Sequence, residues 1–282
     1  MRVDLHTHTT CSDGLLTPAE LVRRARDRGV ARLSITDHDT VAGVEEAARA
    51  AAGTGIELVP GVELTARAQG SEVHVLGYFV DPRSPRLAES LRRLRDRSIE
   101  RVRETIRRLR ALGIGVAPER VAGLAGGENG MRRLHIARVL VEAGRAPSVD
   151  EAFARYLGPG APAHVPAERL SPEAAARLIR EVGGVPVLAH PYRYGALPHV
   201  EGLLPESLRG LEAYRPEHTP RQTLALLDLA RRRGLVATGG SDFHGNGMER
   251  EDVGALYVPP QAVEDLRKAR PAAHEGPGRA LR

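Results

Sequence analysis

The stretch Arg2-Val3-Asp4-Leu5-His6-Thr7-His8-Thr9-Thr10-Cys11-Ser12-Asp13-Gly14 decides the fold. A short strand ends in it, and two imidazoles follow at once, spaced i, i+2. On extended backbone that spacing points both side chains to one face. Two imidazoles on one face can chelate a divalent ion, and the Asp13 carboxylate can hold the same ion or a neighbour. Its weight comes from the rest of the chain, which delivers ligand-type residues from strands again and again.

Next, Thr17 is placed as an N-cap, with Pro18 at the first helical position, Glu20 completing a capping box and Gly29 as the stop. The strand Ala31–Ile35 then runs into Thr36-Asp37-His38-Asp39-Thr40. Residues 41–52 are a predicted helix, and the strand Ile56–Pro60 delivers Gly61-Val62-Glu63. A further strand, Glu72–Tyr78, carries His74. Such alternation of strand and helix argues for a parallel sheet or a closed α/β barrel, in which chemistry collects at the C-terminal ends of strands.

Residues 83–165 break the alternation. Leu87–Leu112 has helical periodicity, a Gly-rich break follows at 123–130, and helical patterns resume at 131–143 and 149–156 before Gly158-Pro159-Gly160. This segment is expected to be a helical insertion that caps the barrel mouth. The barrel itself is expected to comprise residues 1–82 and 166–265. The alternation returns with a helix from Ser171, the strand Val185–Ala189 delivering His190-Pro191, and the strand Leu208–Glu212. A helix over Pro220–Arg233, stopped by Gly234, leads to Leu235–Thr238 and then Gly239-Gly240-Ser241-Asp242-Phe243-His244-Gly245. Residues 266–282 read as a flexible tail.

Hydrophobic residues make up 41% of the 282, charged residues 27% and aromatics 3%, with no Trp. That is the profile of a soluble protein with an aliphatic core. One cysteine, Cys11, excludes an intramolecular disulfide framework. No secretory signal or membrane-spanning run is visible, so a cytoplasmic protein without a membrane partner is expected. The formal charge of +5 comes almost wholly from Arg, Lys268 being the only Lys. With so few aromatics to stack bases, no stable partnership with long nucleic acid is expected.

Nine ligand-type residues collect at the strands: His6, His8, Asp13, His38, Glu63, His74, His190, Asp242 and His244. Six of the eleven histidines fall there. Mixed imidazole and carboxylate sites suit Mn²⁺, Fe²⁺ or Zn²⁺, and a cluster of divalent ions implies hydrolysis, most naturally of a phosphoester. Ser12, Ser34 and Ser241 lack a nucleophile-elbow setting, and no phosphate-cradling P-loop or GxGxxG follows a strand. His164, His199, His218 and His274 are read as ordinary polar residues, although His218 is a candidate for contact with the ligand layer. Cys11 is not read as a ligand.

Taken in order, DLHTHTTCSDG, TDHDT, GVE, HVLGY, AHP and GGSDFHG resemble the PHP (polymerase and histidinol phosphatase) superfamily over nearly the whole chain. The resemblance implies a distorted (β/α)7, TIM-like barrel with a helical insertion domain and a trinuclear centre, Mn²⁺ being favoured over Zn²⁺ or Fe²⁺. In that scheme His6, His8, Glu63 and Asp242 hold one ion. Glu63 bridges to a second, held also by His74 and His190, and Asp13, His38 and His244 hold the third. The subgroup it most resembles contains nucleoside 3′,5′-bisphosphate phosphatases, 5′-nucleotide phosphatases and 5′→3′ exoribonucleases acting on short RNA. There an Arg-Pro-His-Ile-Ala segment supplies an Arg and a His to the substrate phosphate. Its match is Arg133-Leu134-His135-Ile136-Ala137, without the Pro. A linker Lys common in the subgroup is missing from residues 158–163, and Arg193 is a candidate substitute.

The expected activity is a phosphoesterase in which a metal-activated hydroxide attacks phosphorus in a small phosphorylated substrate, a nucleotide or short RNA. Arg133 and His135 would orient the phosphate, and His38, His190 or Asp242 would protonate the leaving oxygen. The alternatives are a histidinol-phosphate phosphatase, a non-catalytic metal-binding module and an exonuclease of long nucleic acid. The first is disfavoured by the insertion, the second by the intact ligand set, and the third by the missing polymerase domain.

Overall fold

The computed structural model describes residues 1–166, 169–245 and 252–271. Two compact units form, one from Met1–Ala88 with the chain from Leu170 onward, the other from Glu89–Arg169.

The first unit is built on a seven-stranded sheet in chain order: β1 (Arg2–Asp4), β2 (Val30–Ile35), β3 (Glu57–Ala68), β4 (Ser71–Tyr78), β5 (Val185–Leu188), β6 (Gly210–Tyr214) and β7 (Val236–Gly239). Helix α1 (Pro18–Asp27) joins β1 to β2, and α2 (Val44–Ala51) joins β2 to β3. The Thr17 hydroxyl accepts from the Glu20 backbone N–H and the Glu20 carboxylate returns the bond to Thr17, so the capping box forms as expected. The segment past β7 closes the barrel onto β1: His8 N donates to Phe243 O at 2.9 Å and Asp242 N to His6 O at 2.9 Å. Gly240 is what allows this, because a Cβ there would sit 2.4 Å from His6 N and 2.5 Å from His6 Cβ.

The sheet is not parallel throughout, as the alternation had implied. β3 and β4 form an antiparallel hairpin, and β4 and β5 are also antiparallel, while β1–β2–β3 and β5–β6–β7 are parallel. The cause is the two-residue turn Gln69-Gly70, closed by the Ala68–Ser71 pair, with φ of 49° and 84°. Positive φ at both positions is the turn geometry that matches strand twist in a hairpin. β3 also runs well past Pro60, so Glu63 lies inside a strand rather than beyond one. Its neighbour β2 ends at Ile35, opposite Pro60, and only an isolated bridge joins His38 to Glu63. Glu63 therefore still stands at the mouth of the β2 side.

Val3, Val59, Leu76, Tyr78, Val185 and Val187 of the strands pack with Leu5 and Val263 in one buried cluster. After β5 come a 3₁₀ turn (Pro191–Tyr194) and a short helix (Leu197–Gly202) that periodicity had not marked. Helix Pro220–Arg233 ends on Gly234 at φ 64°, as expected. The tail boundary needs correction: a helix runs over Gln261–Lys268, and its Leu266 is fully buried in the barrel core. An apolar residue at helical spacing from Ala262 and Val263 gives the chain reason to stay packed there. Residues 272–282 of the expected tail lie outside the described residues.

The second unit holds helices over Glu89–Ala111 (the greater part of Pro85–Ala111), Pro118–Leu124, Arg133–Glu142 and Val149–Ala152, the last continuing as a π-helical turn to Leu157. Val102, Ile106, Leu109, Val121, Ile136 and Leu140 form its core. Helix Pro118–Leu124 was not expected, being too short to show a period. No described helix is long and apolar enough to cross a membrane.

Candidate metal centre

The nine ligand candidates come from separate segments of the barrel unit and meet in space. Three groups of ligand atoms lie mutually within 4.8 Å: His6, His8 and Glu63; His38, Glu63 and His74; and His8, Asp13, His38 and His244. In the first, His6 Nε2 and His8 Nε2 are 3.1 Å apart, and each is 3.3 Å from Glu63 Oε2. Asp242 Oδ1 joins them at 3.3 Å and 3.1 Å. Around Glu63 Oε1 lie His74 Nδ1 at 2.9 Å and His190 Nε2 at 3.1 Å. His244 Nε2 is 3.3 Å from Asp13 Oδ1, while His38 Nε2 is 3.8 Å from Asp13 Oδ2. Two details differ from the expected partition. His8 faces the Asp13 group as well as His6, and His38 Nδ1 also lies 3.1 Å from Glu63 Oε2.

Backbone strain concentrates here. His190 has φ 28° and Asp242 φ 57°, positions that non-glycine residues occupy at a cost of about 1–3 kcal/mol each. The hydrogen bonds that carry this cost place both side chains inward: His190 N donates to Glu212 Oε2 at 2.8 Å, and Asp242 N to His6 O.

These residues fit divalent cations. His8 Nδ1, His38 Nδ1 and Glu63 Oε2 are buried without a hydrogen-bond partner, an unfavourable state for polar atoms that lack some other ligand. Separations of 3.1–3.3 Å among His6 Nε2, His8 Nε2 and Glu63 Oε2 are those of neighbouring ligands about 2.1 Å from a shared ion, and Asp242 Oδ1 lies as close to both imidazoles. Electrostatically the site is strongly coupled: against burial, the surrounding carboxylates raise His6, His74 and His244, so a cation must displace their protons. Burial opposes charge on Glu63, yet the imidazoles of His38, His6 and His74 hold its carboxyl well below the usual range. Asp242 is likewise held low against burial by His6, His8 and Arg215. Burial brings His8 down to about 4, keeping its imidazole neutral and able to ligate.

Most of the site imidazoles have one ring nitrogen claimed from outside. His6 Nδ1 meets Glu212 at 3.0 Å, His74 Nε2 meets Glu72 at 3.2 Å, His190 Nδ1 meets the Tyr194 hydroxyl at 2.9 Å, and His244 Nδ1 meets the Asp242 carbonyl at 2.7 Å. Such partners fix which nitrogen faces an ion. Sequence reasoning missed Glu212, Arg215, Tyr194 and Glu72 in this part. Glu212 could have been found, since it stands at the end of β6 as the collected ligands stand at theirs. Asp4 and Asp37, also overlooked, are buried acceptors of backbone and hydroxyl groups: Asp4 takes the N–H of Ser241 and Gly254, and Asp37 that of Thr9.

A model of the PHP domain family matches residues 4–134. A 3′,5′-nucleoside bisphosphate phosphatase from Chromobacterium violaceum is 37% identical over 257 residues, covering 89% of this chain and 90% of that protein. This chain belongs to the PHP family. A 5′-3′ exoribonuclease from Escherichia coli is 38% identical, over 86% of this chain and 84% of its own. The solved structure of a Bifidobacterium adolescentis protein assigned as a metal-dependent phosphoesterase superposes with a TM-score of 0.79 at 29% identity, covering 96% and 97% of the two chains. As a PHP-family member with this ligand cluster, the chain is a metal-dependent phosphoesterase, a hydrolase of phosphoester bonds.

Of the expected substrate contacts, Arg193 is at the centre: its guanidinium lies 3.6 Å from Asp242 Oδ2 and is largely exposed. Arg133 and His135 begin a helix of the second unit. There Arg133 Nη1 donates to Leu157 O at 2.8 Å and its guanidinium stacks on Phe153, and His135 Nδ1 accepts from Arg132 N. His218 packs edge-on against Tyr192 and takes no place among the ligands. Cys11 is a half-buried free thiol outside the three groups. His274 lies outside the described residues.

Proposed function

We propose that the chain removes phosphate from small nucleotides, a nucleoside 3′,5′-bisphosphate or a 5′-mononucleotide, and degrades short RNA from its 5′ end. The observation that carries this reading is the convergence of five imidazoles on Glu63, those of His6, His8 and His38 at Oε2 and those of His74 and His190 at Oε1. The named activities of the relatives agree with it. Three overlapping groups of close ligand atoms support a centre of several ions, for which we propose three. Divalent ions held there, Mn²⁺ foremost, would neutralise phosphoryl oxygens and lower the pKa of water.

The residues divide the remaining work. His6, His8 and Asp242, then His74 and His190, and then Asp13, His38 and His244 would hold the cations, with Glu63 serving the first two sets. Arg193, beside Asp242, would bind the phosphate, and Arg133 and His135 keep the phosphate-orienting role expected of their segment; a planar guanidinium suits the paired oxygens of a phosphoryl group. Of the three proton-donor candidates, His190 and Asp242 are nearly closed to solvent, whereas the His38 ring is about a quarter exposed at 25%. The proton to the leaving oxygen is therefore assigned to His38.

Product analysis tests the reading. Manganese-loaded protein is offered adenosine 3′,5′-bisphosphate, AMP, a short 5′-phosphorylated RNA and histidinol phosphate. Release of phosphate from the bisphosphate, or stepwise mononucleotides from the RNA, is expected. Turnover of histidinol phosphate alone would overturn it.

A further inference from the structure

Beneath the centre lies a buried pair that the ligand scheme does not use. Glu212 and Arg215 are three residues apart at the end of β6, and both side chains are fully buried. The Glu212 carboxylate receives three donors. His6 Nδ1 lies 3.0 and 3.1 Å from its two oxygens, His190 N donates at 2.8 Å, and Arg215 Nη1 at 3.1 Å. The other arm of the guanidinium, Nη2, donates to Asp242 Oδ2 at 3.0 Å and also meets Glu217. The pair thus touches three ligand candidates from three different segments.

We propose that Glu212 and Arg215 are positioning residues that dictate which atoms of His6 and Asp242 face the cation. This rests on the metal-centre reading above. Glu212 is acceptor-only when ionised, so its contact with His6 is a bond from Nδ1–H. That leaves Nε2, the atom turned toward His8, Glu63 and Asp242, as the nitrogen that can give up its proton to a cation. Arg215 occupies Asp242 Oδ2, so Asp242 presents Oδ1 alone, the oxygen 3.3 Å from His6 Nε2 and 3.1 Å from His8 Nε2. Asp242 is thereby a one-oxygen ligand. The charges balance in the same layer: a buried guanidinium among three carboxylates, Glu212, Asp242 and Glu217, offsets part of the negative charge gathered there and at Glu63 before any cation arrives.

A merely structural ion pair would stabilise the fold and leave metal binding alone, and two variants separate these roles. Glu212→Gln keeps the volume but loses one acceptor oxygen. Arg215→Lys keeps the charge but cannot span Glu212 and Asp242 together. Each metal-freed protein is melted, and its Mn²⁺ affinity is measured by equilibrium dialysis with elemental analysis. A fall in affinity of about 10–100-fold, with the metal-free melting temperature near wild type, is expected. Restoration of affinity by Glu212→Asp, relative to Gln, would add support. Unchanged affinity in both folded variants, or loss of fold in both, would overturn the proposal. The readout is independent of substrate. If the wild type fails to turn over nucleotides but these variants still lose metal, the substrate reading falls and this inference stands.

Discussion

His6 Nε2 and His8 Nε2 lie 3.1 Å apart with both rings fully buried, and no protein donor stands between them. Two imidazole nitrogens this close share either a proton or a cation. Glu63 Oε2 and Asp242 Oδ1 each lie 3.1–3.3 Å from both nitrogens, the carboxylate surroundings that suit a cation.

Removing one member of that set should remove activity and spare the fold. His8→Ala and Asp242→Ala are each expected to lower kcat by roughly 10³-fold, several kcal/mol of transition-state stabilisation. Circular dichroism of the metal-free variants should match wild type. Full activity in both would remove the metal assignment.

Chelation should lower thermal stability. Ions that bind only the folded state stabilise it by about 2.7 kcal/mol when present at a hundred times Kd. Melting is therefore expected to shift down on adding EDTA and to recover with excess Mn²⁺. Identical melting curves would mean that the cluster holds no ion in the folded protein.

His38, as proton donor, should matter most for poor leaving groups. His38→Gln is expected to slow hydrolysis of a nucleotide phosphate by about 10²–10⁴-fold. Its effect on a nitrophenyl ester, whose leaving oxygen needs no proton, should be much smaller. Equal losses on both would assign the proton elsewhere.

Arg133→Ala is expected to raise KM for the nucleotide about tenfold, as for one lost charged hydrogen bond of about 1.5 kcal/mol. Manganese content should stay at the wild-type value. Loss of metal instead would mean that the residue serves the centre and not the substrate.

Asp252, which is not a ligand candidate, accepts a two-pronged bond from Arg24 at 2.7 and 2.8 Å, with Arg28 at 3.1 Å. Burial opposes its charge, but Arg24 and the Val253 N–H outweigh it and hold the carboxyl below its ordinary value. The folded value is depressed, so this stability is fully present above about pH 3.9, the unfolded value, and is lost as pH falls through the lower folded one. Arg24 is about half exposed at 47%, and solvent screens the pair, so Asp252→Asn should cost only about 1 kcal/mol at pH 7. The gap between variant and wild type in urea midpoint should close toward pH 3. A constant gap would contradict the linkage.

Much of this was legible in the chain because ligands must be presented by strands, and strands advertise themselves. The capped helix after Thr17, the stop at Gly234 and the strands before His38, His190 and Asp242 all follow from local chemistry. Tertiary pairing was not legible. Gln69-Gly70 turns β4 back antiparallel, and Glu63 gains its place because β3 outruns β2. Glu212 and Arg215 escaped notice because their partners, His6, His190 and Asp242, are distant in sequence. A buried Arg looks no different on the page from the many exposed ones.

The most direct test is a titration of metal-stripped protein with Mn²⁺, following phosphate release from adenosine 3′,5′-bisphosphate. The account predicts no turnover without metal and a rate that saturates at about three equivalents, one for each ligand group. Full turnover in the stripped protein, or none at any metal level with manganese verified in the protein, would contradict it.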